Sequence, residues 1–288
     1  MKPLRVAAVQ MKFAPTVGGN LGKIRSALAE SSRQGADAVL FPECATTGYA
    51  YDFELLRPGE VQDALVVVGE LARHYATNVL VGTPLFSGGR LYNALVVFDR
   101  KGRIVHAYAK CQLTDLDRRV FTPGDGVALF RVDGIPATAI ICHERRYPEL
   151  VRLAAMAGAK IVFHPNAGLD SLEVSRAKRR GADGIDVRAF ENAIYYVFAN
   201  SVGPQGGGKW SAGDSKIVAP DRNRLALADN TGESVISAEL DLSRATGIYA
   251  SESLIHPRFL SGHWKRMVGD IRRRARSSLT RFGLGKGR

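Results

Sequence analysis

Three short stretches carry the reactive side chains of this chain. Residues 139–150 read AIICHERRYPEL, an apolar run that ends on Cys142 and is followed at once by five ionisable side chains. Phe41-Pro42-Glu43 and Tyr108-Ala109-Lys110 place a carboxylate and an amine at the ends of two other apolar runs. Loops at the ends of neighbouring strands are where α/β sheets build ligand crevices, so one pocket can collect all three groups. A thiol, a carboxylate and an ammonium suffice for nucleophilic attack on a carbon–nitrogen centre: one attacks, one moves protons, one stabilises developing negative charge. A free thiol ionises only at about pH 8.5, so it needs a base or a cation beside it. Singly, each residue has an ordinary alternative: Cys142 as a small core side chain, Glu43 as a cap or surface partner, Lys110 as a solvated charge. The conjunction is what points to chemistry.

The elements that must position these groups read as alternating strands and helices. Arg5 to Met11 is a strand; Asn20 is the expected N-cap of a helix with Leu21, Ile24 and Leu28 on one stripe, closed by Gly35 before the strand Ala38 to Phe41. Val61, Leu65, Val68 and Leu71 repeat the helical pattern ahead of Val79 to Gly82. Hairpins follow, with Leu91 to Phe98 and Ile104 to Tyr108 flanking the turn at residues 99–102. Pro136 to Ile141 leads into Cys142, and Tyr147 to Ala157 is helical. Lys160 to His164 is a strand, a single helix is expected over Ser175 to Glu191, and Tyr195 to Asn200 is again a strand. Ser215 to Pro220, Asn223 to Ala228 and Val235 to Leu240 complete the pattern, which favours a mixed sheet layered with helices. Residues 206–209, Gly-Gly-Gly-Lys, lack the phosphate-loop frame and read as a flexible loop.

Composition sets the broad class. The 288 residues are 45% hydrophobic and 24% charged, ordinary for a chain that buries a sizeable core. The N-terminal apolar run is cut short by Gln10 and Lys12, and no run approaches the roughly 18 apolar residues of a membrane span. Three cysteines, an odd number, argue for free thiols in a reducing compartment and so for the cytoplasm. The net charge of +12 is lopsided: from Trp264 onward nine Lys or Arg face Asp270 alone. The expected organisation is therefore a domain over residues 1–263 and a basic tail over 264–288. A tail of this kind opens a rival reading as a nucleic-acid or anionic-membrane binder, ranked below because runs of like charge are usually solvated. No histidine or cysteine spacing matches a metal motif, and neither a metal nor an organic cofactor is expected.

The segments RVAAVQM, FPECATTGY, YAKCQL, DRRVFTPGD, ICHERRYPELVRLAAMAGA, RAFENAIYYVFAN and GDSKIVAPD, in this order and spacing, resemble the nitrilase superfamily of carbon–nitrogen hydrolases. The resemblance runs from about Arg5 to about Leu242. It implies a four-layer α-β-β-α sandwich with two mixed sheets, and a homodimer or larger homo-oligomer. By position it makes Glu43 the general base, Lys110 the cation at the oxyanion and Cys142 the nucleophile, with the backbone N–H of His143 as a second oxyanion donor. Relatives carry a second carboxylate that orients the lysine; Asp117 aligns with it, one methylene shorter than the usual glutamate, and Asp115 is a rival. The run Arg145-Arg146-Tyr147-Pro148-Glu149 resembles that of carbamoyl-amino-acid hydrolases and related amidases, where an arginine grips a substrate carboxylate, so Arg145 or Arg146 is a candidate for substrate binding. The ordinary alternative is that Glu144, Arg145, Arg146 and Glu149 pair among themselves across a helical first turn. Asn166 is a pocket-lining candidate whose alternative is a turn residue. His143-Glu144-Arg145 stands where true nitrilases usually show Trp-Glu-Asn. The resemblance therefore implies a small linear amide or N-carbamoyl substrate ahead of a nitrile.

Overall fold

A computed structural model describes residues 3–49, 52–178 and 184–284 of the chain. The chain runs β1 (Leu4–Gln10), α1 (Val17–Arg33), β2 (Ala38–Leu40), α2 (Pro58–His74), β3 (Asn78–Ser87), β4 (Arg90–Phe98) and β5 (Ile104–Ala109). A second half follows with β6 (Phe130–Val132), β7 (Ile135–Ala139), α3 (Pro148–Met156), β8 (Ile161–Asn166), α4 (Leu172–Ala177), α5 (Asp186–Asn192) and β9 (Tyr195–Asn200). It closes with β10 (Val202–Gly206), β11 (Lys209–Ala212), β12 (Lys216–Val218), β13 (Arg224–Leu227), β14 (Ser234–Leu240), α6 (Ile248–Ser253), α7 (Arg258–Ala275) and α8 (Ser278–Arg281).

These elements form two six-stranded sheets, ordered β14-β1-β2-β3-β4-β5 and β13-β12-β9-β8-β7-β6. Each has three parallel strands at its centre, β1-β2-β3 and β7-β8-β9, flanked by antiparallel neighbours. Side-chain alternation explains the stacking. Val6, Ala8, Leu40 and Leu80 of the first sheet meet Ile161, Phe163 and Val197 of the second in one core between the sheets. The opposite faces bury Val9, Val39 and Val81 under Ile24, Leu28, Leu65 and Val68 of α1 and α2, and Val162, Tyr196 and Phe198 under helices that include α3 and α7. The four-layer α-β-β-α sandwich follows directly.

Several local expectations shift. Helix α1 is capped by Thr16, whose Oγ1 accepts from the Gly19 N–H; Asn20 lies one turn inside, fully buried, bonded to Ala14 and Thr16. The single helix expected over Ser175 to Glu191 is two, α4 and α5, and residues 179–183 between them lie outside the described residues. Residues 206–209 are the tight turn of the β10–β11 hairpin, with positive φ at Gly206, Gly207 and Gly208. The basic C-terminal segment begins inside α7, whose Val268 and Ile271 are buried against the second sheet's helical layer. Arg272 donates to the Ala157 carbonyl, and Phe282 is buried in the outer core of the first sheet, so the segment crosses from one outer layer to the other. Residues 285–288 lie outside the described residues. No helix among the described residues is long and apolar enough to cross a membrane.

Candidate active site

Glu43, Lys110 and Cys142 converge at one end of the sandwich, on the seam between the sheets. Glu43 sits in the turn after β2, where the backbone packs directly on Gly82 of β3. A Cβ at Gly82 would lie 2.2 Å from the Pro42 carbonyl oxygen and 2.6 Å from the Glu43 Cα, so no other residue fits there. Lys110 follows β5; its N–H donates to the Asn93 carbonyl of β4 and its own carbonyl accepts from Gly124. Cys142 follows β7 with φ of +50°, a left-handed conformation uncommon for a side chain with a Cβ, and opens a 3-10 turn over Cys142–Arg146. Pro148 then starts α3.

The carboxylates and the ammonium form a chain of short, fully buried contacts. Lys110 Nζ donates to Glu43 Oε1 and to Asp117 Oδ2, both at 2.8 Å, with every side chain of the trio inaccessible to solvent. Glu43 Oε1 also accepts from Asn93 Nδ2 at 2.7 Å, and Glu43 Oε2 from the Ala167 backbone N–H at 3.1 Å, at the end of the second sheet's β8. Asp117 accepts further hydrogen bonds from the Tyr49 hydroxyl and the Thr114 N–H. Asp117 therefore holds the lysine; Asp115 is exposed. Tyr49, Phe53 and Phe121 stack edge-on around this loop and fix its outer wall.

Electrostatics follow from this packing. Burial lifts the Glu43 carboxyl above the usual glutamate range, outweighing the attraction of Lys110, so it is a stronger base than a solvated glutamate. Burial also opposes ionisation of Asp117, but the Lys110 ammonium and the hydrogen bonds from Tyr49 and Thr114 hold it below the usual range. Lys110 stays charged, because its carboxylate partners outweigh the cost of burial. The Cys142 thiol is pushed up to about 12 by burial and by the Glu43 charge, against the pull of Lys110, and Glu43 lies within side-chain hydrogen-bonding reach of it. The resting thiol is thus protonated at neutral pH, with the Glu43 carboxylate beside it.

The remaining sequence candidates are dispersed around this centre. The half-exposed His143 ring packs edge-on against Tyr147 at 5.8 Å, and burial together with Lys110 and Arg146 keeps it below the ordinary histidine range. Arg145 is partly buried and its carbonyl accepts from Arg188 of α5; Arg146 is exposed. Asn166 ends β8 and donates to Asn200 Oδ1 at 2.8 Å, which also receives the Gly168 N–H. No group of three or more His, Cys, Asp or Glu among the described residues is arranged to hold a metal ion. A cavity of about 520 Å³ between α2 and the C-terminal segment is lined by none of these residues.

The family model for carbon-nitrogen hydrolase matches residues 5–249. The chain belongs to the carbon–nitrogen hydrolase family. Among relatives of this hydrolase, a protein of Pyrococcus abyssi described as a nitrilase is 32% identical over 83% of this chain and 90% of its own length. The omega-amidase of Bos taurus is 27% identical over 86% and 92%. Among solved structures, a Cys-to-Ala mutant of the amidase from Nesterenkonia sp. AN1 in complex with butyramide superposes with a TM-score of 0.78. It is 25% identical, covering 91% of this chain and 97% of that one. This carbon–nitrogen hydrolase therefore has the nitrilase-superfamily fold and an amidase-type framework.

Several residues that build the hydrolase's site escape a sequence reading. Glu144 is fully buried rather than paired with Arg145 or Arg146 on a helix surface. Its Oε2 accepts from Ile141 N–H at 2.7 Å, and its Oε1 from the N–H groups of Cys111 at 2.6 Å and Gln112 at 3.1 Å. The Tyr108 hydroxyl lies within 3.0 Å of both oxygens. The turn carrying Cys142 is thus bonded to the loop carrying Lys110. Asn93 and His164 carry a signal in the sequence: each is a polar residue directly beside the apolar run of its strand, and a buried polar group is retained only where it has partners.

Proposed function

We propose that this hydrolase cleaves small linear amides, releasing ammonia and a carboxylic acid through a thioester on Cys142. The observation that carries this reading is the buried Glu43–Lys110–Asp117 chain with the Cys142 thiol at its Glu43 end. Because the thiol is protonated at rest, Glu43 takes its proton as the sulfur attacks the amide carbon, rather than facing a preformed thiolate. An ammonium has three N–H donors, and carboxylates take two of those on Lys110, so the third is available to the developing oxyanion together with the His143 N–H. Glu43 passes the proton to the departing nitrogen, the C–N bond breaks, and ammonia leaves. Glu43 then deprotonates water, which attacks the thioester; the C–S bond breaks, the proton returns to sulfur, and the acid is released.

Arg145 or Arg146 is the proposed contact for an anionic group at the far end of the substrate, which would extend the range to N-carbamoyl compounds. We also propose a homo-oligomer, with the C-terminal basic segment serving neither nucleic-acid nor membrane binding. The relative described as a nitrilase favours a second reading, conversion of a nitrile to acid and ammonia. A panel of matched amides, carbamoyl compounds and nitriles, read by ammonia release and by intact mass, separates the two. The wild type should carry an acyl adduct with an amide and Cys142→Ala none, while retaining its fold; equal turnover by the alanine variant would refute the assignment.

A further inference from the structure

The left-handed backbone at Cys142 is held from behind by a pair of residues with no part in the chemistry described so far. His164 of β8 is fully buried, and its Nε2 lies 3.1 Å from the Cys142 carbonyl oxygen. Its Nδ1 lies 2.8 Å from the Tyr196 hydroxyl of β9. A carbonyl oxygen only accepts, so the proton sits on Nε2, and Nδ1 then accepts from the tyrosine. Tyr196 packs edge-on at 5.7 Å and Phe198 lies against the same ring at 4.9 Å, leaving the imidazole one orientation. Burial, with Arg145 and Lys216 adding to it, pushes His164 down to about 3, so the ring is neutral and the tautomer persists across the working pH range.

Sidedness makes this arrangement consequential. Ile161 and Phe163 of β8 face the core between the sheets, whereas Val162 and Tyr196 face the helical layer; by alternation His164 lies with the latter. The Cys142 side chain packs on the inter-sheet core, where Glu43 and Lys110 approach. The thiol and the carbonyl of the same residue are therefore held on opposite faces of the second sheet. A trans peptide directs its C=O and the following N–H to opposite sides. Gripping the Cys142 carbonyl on the helical side turns the His143 N–H toward the face where the thiol attacks.

We propose that His164, oriented by Tyr196, is a positioning residue that fixes the Cys142–His143 peptide and so aims the oxyanion-binding N–H. This rests on the amidase reading above. It predicts a defect confined to steps in which a carbonyl oxygen becomes negative. Alkylation of Cys142 by iodoacetamide displaces iodide at a saturated carbon and develops no oxyanion, so it reports the thiol and its base alone.

The test measures butyramide hydrolysis and iodoacetamide alkylation of Cys142, located by peptide mapping, for wild type, His164→Leu, His164→Gln and Tyr196→Phe. His164→Leu should lower kcat by about 10²-fold, the effect of losing one oxyanion donor, with KM and the alkylation rate changing far less. Glutamine places an amide N–H near the position of Nε2 and should restore most of kcat. Tyr196→Phe, which frees the tautomer, should fall between. Wild-type kcat in the leucine variant, or kcat and alkylation falling together without rescue by glutamine, would overturn the proposal. Should the leucine variant fail to fold, Tyr196→Phe decides: a lowered kcat with unchanged alkylation supports the assignment and an unchanged kcat overturns it. A wild type that alkylates at Cys142 yet releases no ammonia from any amide would instead mark failure of the amidase reading.

Discussion

Replacing Lys110 with methionine tests the buried charge chain most directly. Methionine keeps the length and most of the volume, so the loss is the ammonium and its two 2.8 Å contacts to Glu43 and Asp117. Both carboxylates remain fully buried, and breaking a buried ion pair by removing one partner costs about 3–5 kcal/mol. The variant has a way to relieve this cost. Two close buried carboxylates without a cation favour a shared proton, so the pair binds a proton that the unfolded chain, with carboxyl pKa values of about 4, does not bind at neutral pH. The folded-state pKa of that site is then raised, and stability is present at low pH and lost as pH rises through it. Each pH unit over which the folded variant holds the extra proton is worth about 1.4 kcal/mol. The wild type carries opposing contributions: the depressed pKa of Asp117 adds stability above the unfolded value and loses it as pH falls, whereas the raised Glu43 carboxyl loses stability as pH rises through it. Denaturant unfolding, followed by tryptophan fluorescence at about pH 8 and about pH 5.5, should show a deficit of several kcal/mol at the higher pH that shrinks by at least about 1 kcal/mol at the lower. Lys110→Met combined with Asp117→Asn should recover much of the deficit at the higher pH, while kcat stays at least about 10²-fold down. A deficit below about 1 kcal/mol that does not change with pH would show that the trio is not a coupled buried unit.

Two further outcomes follow from the same geometry. Gly82→Ala should destabilise the protein and abolish ammonia release, since its methyl would sit 2.2 Å from the Pro42 carbonyl oxygen and drive Glu43 from its partners; full activity in that variant would mean that the Glu43 turn is not locked by β3. The ultraviolet thiolate absorbance of wild type minus Cys142→Ser should be absent at neutral pH and remain small past about 8.5, where a free cysteine is half ionised; because the Cys142 thiol is pushed up to about 12, a thiolate signal below neutrality would exclude proton transfer to Glu43 during attack.

The sequence carried the layered architecture more clearly than its fine detail, for physical reasons. Tyr195 to Asn200 was legible residue for residue because a fully buried strand is a continuous apolar run. The start of α1 was not, because Thr16 and Asn20 are both good N-caps by type, and only the folded chain shows that Asn20 is buried inside the first turns. In the site, Glu43, Lys110 and Cys142 were legible because each terminates an apolar run. Choosing between Asp115 and Asp117 required the loop that turns one outward and the other onto Lys110. The burial of Glu144 is hidden in the sequence for a similar reason. The left-handed Cys142 two residues earlier and the 3-10 turn around Glu144 point the carboxylate inward, where a regular helical first turn would have placed it on the surface beside Arg145 and Arg146.

That inward carboxylate explains how two sheets can present one candidate site. Glu43 and Lys110 belong to the first sheet and Cys142 to the second, and the two stacked sheets share no continuous backbone ladder, only the single bridge of Met11 with Ser201 among the described residues. Hydrogen bonds at the seam supply what the ladders cannot. Glu43 reaches across to the Ala167 N–H, and Glu144 reaches back to the N–H groups of Cys111 and Gln112, so each sheet contributes a carboxylate that accepts from the other sheet's backbone. A carboxylate bonded to several backbone donors is geometrically stiff, and charge-assisted bonds of this kind are roughly twice as strong as neutral ones. Among the described residues Glu144 accepts from neutral donors, three N–H groups and the Tyr108 hydroxyl, so it fixes distance rather than balancing charge. In the proposed reaction the acid–base chemistry stays on the Glu43 side, where Lys110 supplies the charge, and the registration of the two sheets stays on the Glu144 side. Under the proposed reaction, separating the two tasks lets Glu43 gain and lose a proton in each turnover without loosening the seam that keeps the thiol within its reach.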